Sequence, residues 1–172
     1  MRPEQRAAVL DLLMRKIDEP AFFAAYGVGR DLLQADVAVQ SEKAIRERDA
    51  DLLAIVGYLR QRFRLPADLE VQQSLLTETW HRQHEEIVRA LQYARNPRSI
   101  AALRQAIALK PQLEYLDADD YGAFYKKCLW ALQDIGTAEA IEAIREYASS
   151  EVPALAREAA YRLRKIAGLA RD

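Results

Sequence analysis

Residues 88–107 read VRALQYARNPRSIAALRQAI, and residues 129–148 read LWALQDIGTAEAIEAIREYA. The two stretches align without a gap at an offset of 41, and six of 20 positions are identical. The identities are Ala90/Ala131, Leu91/Leu132, Gln92/Gln133, Ile100/Ile141, Ala102/Ala143 and Arg104/Arg145, and Leu103 facing Ile144 keeps the apolar character. The punctuation agrees as well. Asn96-Pro97 sets a capping side chain ahead of a proline whose missing N–H has no partner to lose in a first helical turn. Thr137 supplies a cap at the equivalent place. Each unit therefore reads as a helix, a short turn and a second helix. A shorter echo follows, in which Leu163 and Ile166 stand as Leu132 and Ile135 do, in a helix predicted to begin near Pro153.

Working outward from the repeat, the helical period runs through the whole chain. Val9, Leu12, Leu13 and Ile17 fall on one face of a first segment that begins around Pro3. Asp18-Glu19-Pro20 then punctuates, and Phe22, Phe23 and Tyr26 form a short aromatic segment ended by Gly27 and Gly29. A dinucleotide fingerprint would need a third glycine where Leu32 stands, and a strand before it. A further helix is predicted over Asp31–Val39, and the next is predicted to start from a Ser41 cap and end near Leu65-Pro66. Asp68 to Arg95 is the longest helical pattern, with no decisive break in it. Alternating β-branched runs are absent. The fold class is all-α.

The stretch from Tyr125 to Ile144 contains ALQDIGT followed by an alanine-rich second helix. In this it resembles a HEAT or HEAT-like repeat of the bilin-lyase type, and the resemblance covers about residues 80–167. It implies a right-handed α-solenoid of stacked helical hairpins. Such repeats serve mostly as binding scaffolds in bacteria and beyond. They also occur in bilin lyases, an iron-dependent hydroxylase and DNA-alkylation glycosylases, so the fold alone leaves function open. The division expected from it is a helical N-terminal cap or degenerate repeats over 1–66 and the repeats over 67–172, in one continuous domain. Residues 108–119 depart from the pattern as an insertion between the two clear units.

Charge narrows the classes of partner. The 25 basic and 26 acidic residues leave a net of −1. Residues 1–86 carry 12 basic against 15 acidic groups, and residues 87–172 carry 13 against 11. Neither half has the basic excess of a protein that grips a phosphate backbone, so nucleic acid is disfavoured. No apolar run is long enough to span a bilayer. The opening Met-Arg-Pro-Glu-Gln-Arg lacks the apolar core of a secretory signal, and the one cysteine, Cys128, suits a reducing compartment. The expected location is cytoplasmic.

The two histidines share one stretch, Trp80-His81-Arg82-Gln83-His84-Glu85-Glu86. On a helix, His81, His84 and Glu85 would reach one side, the kind of array that holds a metal. The order is neither HExxH nor HxxEH. In the HEAT-like hydroxylases iron is held by His-Glu pairs in different repeats. Here only His84-Glu85 matches, with no histidine left for a second pair. The structural reading places His84 between helices, hydrogen-bonded, and His81 at an exposed edge. The acidic loop from Asp117 to Gly122 fits a calcium loop at Asp117, Asp119 and Gly122, but Tyr121 and Cys128 occupy positions that need oxygen ligands. Cys128 has no base nearby and reads as a small hydrophobe in a helix core. Arg60, Arg62 and Arg64 spread around the end of their helix, where cations suit the dipole.

These features combine into a non-catalytic repeat scaffold that binds another protein and needs no cofactor or metal. Its expected contact residues are Trp80, His81 and Glu85 at one edge, Tyr115 and Tyr121 beside the repeat junction, and Arg104 and Arg145 in register on the second helices. The competing reading is an enzyme or enzyme component with a metal or small-molecule site around His81, His84 and Glu85.

Overall fold

A computed structural model of the chain describes residues 1–116 and 122–168. Among them are ten α-helices and three single 3-10 turns, and no strand. The all-α class follows directly. No helix among the described residues is long and apolar enough to cross a membrane. The chain divides into two compact units, Met1–Ala67 and Asp68–Asp172.

The first unit holds α1 (Pro3–Leu13), α2 (Glu19–Tyr26), α3 (Leu33–Glu47) and α4 (Ala50–Phe63). Helix α1 packs on α2 and α4, and α3 pairs with α4. The aromatic segment supplies much of the core. Phe22 stacks on Phe63 with ring centroids 5.4 Å apart, and Tyr26 is fully buried with its hydroxyl donating to Asp36 Oδ2 at 2.6 Å. Gly27, at φ 70°, ends α2 in the left-handed region that glycine reaches without Cβ strain. Two helix boundaries differ from the sequence reading. Ser41 lies inside α3, its Oγ donating to the Val37 carbonyl at 2.7 Å, and does not cap a helix. The break falls instead at Arg48, and Asp49 caps α4 by accepting the Leu52 N–H at 2.8 Å. An aspartate accepts such a bond as well as a serine does, and Arg48 can turn the chain at φ 50°.

The second unit holds α5 (Leu69–Leu76), α6 (His84–Ala94), α7 (Ile100–Leu109), α8 (Ala123–Ile135), α9 (Ala138–Tyr147) and α10 (Pro153–Ile166). Helix α8 is central and touches α6, α7, α9 and α10, while α5 packs on α6 and α7. Its core residues include Leu91, Leu103, Phe124, Cys128, Leu132 and Ile144, all essentially excluded from solvent.

The repeat register is reproduced in backbone geometry. Arg95 ends α6 at φ 49°, and Gly136, 41 residues on, ends α8 at φ 70°. Asn96 then accepts the Arg98 N–H at 2.9 Å, and Thr137 accepts the Ala140 N–H at 3.2 Å. Equivalent residues thus stop one helix and start the next.

The helical pattern from Asp68 to Arg95, in which the sequence offered no decisive break, is divided between two helices. Residues 77–83 are non-helical between α5 and α6. Thr77 turns its hydroxyl back onto the Ser74 carbonyl at 2.9 Å, a local bond that competes with helix continuation. The Leu75 and Glu78 carbonyls on either side of it each meet a histidine ring nitrogen.

Candidate functional site

The break between α5 and α6 sets the geometry of the histidine pair. His81 sits in the connection and His84 is the first residue of α6, so the two do not share a helix face. Their rings stack, with centroids 4.4 Å apart, and both residues are buried. The expectation that His81 lies at an exposed edge is corrected by its 1% exposure. Its imidazole is drawn inward because Nε2 reaches the Leu75 carbonyl at 2.8 Å, near the C-terminus of α5. The Leu75 carbonyl accepts the Glu78 N–H at 3.0 Å as well, so the imidazole N–H fills its second lone pair.

The ring protonation follows from the partners. The Gln83 main-chain N–H, 3.1 Å from His81 Nδ1, can only donate. Nδ1 is therefore the lone-pair nitrogen, and Nε2–H donates to Leu75. In His84, Nε2 lies 2.7 Å from the Glu78 carbonyl and must donate to it. Its Nδ1 lone pair then accepts the Tyr115 hydroxyl, at 2.8 Å. Desolvation holds the His84 pKa down to about 4, with the neighbouring His81 pushing the same way and the Glu78 bond opposing. Burial also lowers the pKa of His81. Both rings are neutral at physiological pH, and every ring nitrogen is already used.

Glu85 is engaged elsewhere, in an ion pair with Lys127 Nζ at 2.7 Å. The structure therefore brings His81, His84 and Tyr115 together and separates Glu85 from them in function. Among the described residues no group of three His, Cys, Asp or Glu side chains is placed to hold a metal ion. Trp80 is half-buried and meets His81 edge-on at 5.0 Å. Tyr115 is half-buried too, in the 3-10 turn Glu114–Leu116 between α7 and α8. Tyr121 and the acidic residues Asp117, Asp119 and Asp120 lie outside the described residues. Cys128 is fully buried, and burial pushes its thiol well above the ordinary range, which removes the thiolate a nucleophile requires.

Arg104 and Arg145 do occupy equivalent helices, α7 and α9, but each has a glutamate. Arg104 Nη2 lies 2.6 Å from Glu146, with its guanidinium 5.8 Å from the Tyr147 ring centroid, and Arg145 pairs with Glu142.

A concave surface also lies between α8 and α10. It is a cleft of about 460 Å³ whose lining includes Lys126, Trp130, Gln133, Tyr161, Arg162 and Lys165. Of these residues the repeat singled out Gln133 alone, as the match of Gln92, and the histidines none. The available signals were the charge of α10, with four basic residues against one acidic, and a tryptophan at a non-core position of α8.

No family model matches the chain, and searches of the curated proteins and of the solved structures find no significant match.

Proposed function

We propose that residues 68–172 are HEAT-like repeats stacked as a short α-solenoid, and that the protein is a non-catalytic module binding another protein. The observation that carries this reading is the 41-residue register shared by sequence and caps, with Arg95 and Gly136 left-handed and Asn96 and Thr137 capping. Stacked hairpins present long surfaces suited to partners. The fully engaged imidazoles support the scaffold over a metal enzyme, because a metal at either ring would have to displace the Gln83 N–H or the Tyr115 hydroxyl. The candidate contact faces are the Trp80–Glu85 edge with Tyr115, and the second helices with Arg104 and Arg145. A partner carboxylate at the latter would replace Glu146 or Glu142. A reducing, cytoplasmic setting suits the single buried Cys128.

Affinity purification from the native host tests the reading. A protein recovered in stoichiometric amount is the expected result. A retained metal or chromophore, with no stoichiometric protein, would replace the scaffold by an enzyme component.

A further inference from the structure

Helices α6, α8 and α10 correspond in the repeat at offsets of 41 and 31, so their two junctions can be compared position by position. At the α6–α8 junction, two polar contacts staple the surface. Glu85 pairs with Lys127, and Gln92 donates to Asp134, each at 2.7 Å. The same positions at the α8–α10 junction hold Lys126 and Glu158, and Gln133 and Lys165. Lys126 and Glu158 carry the first staple's charges exchanged, so the residues for a second staple are present. It does not form.

The reason is Arg162. It stands where α8 has Ala131 and α6 has Ala90. Its Nε donates to Glu158 Oε1 at 2.6 Å and its Nη1 to Gln133 Oε1 at 3.4 Å, so it engages both side chains. Its guanidinium also covers Trp130, 4.8 Å from the ring centroid, while Arg162 itself is only 5% exposed. The cleft consequently stays open. Trp130 remains 43% exposed beside it. Lys126 is exposed and enters no ion pair among the described residues.

We propose that this cleft binds an acidic peptide segment of a partner protein, with a carboxylate on Lys126 and an apolar or aromatic side chain on the Trp130–Arg162 shelf. The proposal rests on the reading of the protein as a protein-binding module. Length fits a short segment. The stripes Lys126–Gln133 and Glu158–Lys165 each hold eight residues, whose seven steps of ~1.5 Å span about 10 Å. That accommodates about three extended residues at ~3.4 Å each. Charge fits as well, since the lining carries Lys126, Arg162 and Lys165 against Glu158 alone, in a chain whose net charge is −1. Tryptophan is among the side chains most often found to anchor interfaces, and Trp130 is 43% exposed. A nucleic acid is the poorer occupant. A phosphate backbone calls for a run of cations, whereas Glu158 lies in the floor of this cleft and holds Arg162.

Fluorescence anisotropy with fluorescein-labelled Gly-Asp-Glu-Phe-Glu-Asp tests this, beside the same peptide carrying Asn and Gln, and a labelled oligothymidylate. The acidic peptide alone should bind saturably, and K126E and W130A should each weaken it by about tenfold or more. Both positions are exposed, so both variants should keep the helical circular dichroism of the parent. R46E, at an exposed position of α3, should leave binding unchanged. Equal binding of the amide peptide, indifference to K126E and W130A, or preference for oligothymidylate overturns the proposal. The purification described above separates its failure from that of the parent reading. A stoichiometric protein still captured by the K126E/W130A chain means a scaffold with a different site. No stoichiometric protein with the unaltered chain removes the scaffold reading, and the cleft's role with it.

Discussion

The Tyr115 hydroxyl donates to Nδ1 of His84 across 31 residues of chain, at 2.8 Å. This bond ties the connection between α7 and α8 to the first residue of α6, and His84 in turn ties α6 to the Glu78 carbonyl beyond α5. Tyr115→Phe leaves the ring in place and strands a buried imidazole lone pair. The expected loss is about 1–2 kcal/mol of unfolding free energy at neutral pH. Urea denaturation of the two chains measures it, and an unchanged midpoint would show that the bond carries no stability.

Acid should weaken the protein through the same cluster. The folded pKa of His84, about 4, lies below the ordinary 6.5. The unfolded chain therefore takes up the proton first as pH falls. This contribution is full above about pH 6.5, is lost progressively down to about pH 4, and is level below that. By ~1.36 kcal/mol per pKa unit the whole effect is about 3 kcal/mol. Burial of His81 adds in the same direction. Stability measured at several pH values between 7 and 5, in the parent and in His84→Gln, isolates the imidazole, since most carboxylates remain ionised there. Parallel slopes in the two chains would contradict the assignment.

The paired helix stops make opposite predictions. Gly136→Ala places a Cβ at φ 70°, where the nearest obstacle is the Gln133 carbonyl oxygen at 3.5 Å, so the strain is that of the backbone alone. The expected loss is about 1 kcal/mol. Arg95→Gly removes the same strain at φ 49° and should be neutral or stabilising by up to ~1 kcal/mol. Thermal melts of both variants check the pair, and losses of equal size would argue against equivalence of the two stops.

Reversal of both second-helix arginines tests the remaining predicted face. Arg104→Glu and Arg145→Glu together remove two exposed ion pairs. The melting transition should stay cooperative, with a loss below about 1 kcal/mol per pair. If this surface holds the partner, the double variant captures less of it. Undiminished capture by the double variant alongside loss on K126E would move the contact to α8 and α10.

The repeat, the caps at Asn96 and Thr137 and the helical class were legible in the chain itself. Each rests on local chemistry, in apolar period, side-chain oxygens and proline placement. The α5–α6 break was not legible, because residues 77–83 keep an apolar spacing compatible with a helix. The Thr77 bond to the Ser74 carbonyl and the imidazole bonds to the carbonyls of Leu75 and Glu78 are made only in the interrupted chain. His81 was misplaced for the same reason, since a helix would have turned it outward. Arg104 and Arg145 were correctly matched by register. Their pairing with Glu146 and Glu142 required the neighbouring turns in space.

What the sequence determined by itself is therefore where chain segments repeat and where most helices begin and end, since those depend on residues within a turn of one another. Tertiary structure alone decided which polar groups are spent. The imidazole nitrogens of His81 and His84 are consumed by partners two to 31 residues away, and Arg162 diverts Glu158 and Gln133 from the roles their repeat positions predict. A hydrogen-bond donor or acceptor can be claimed by whichever neighbour packing brings within about 3 Å. That competition is settled between helices, where no spacing along the chain records it.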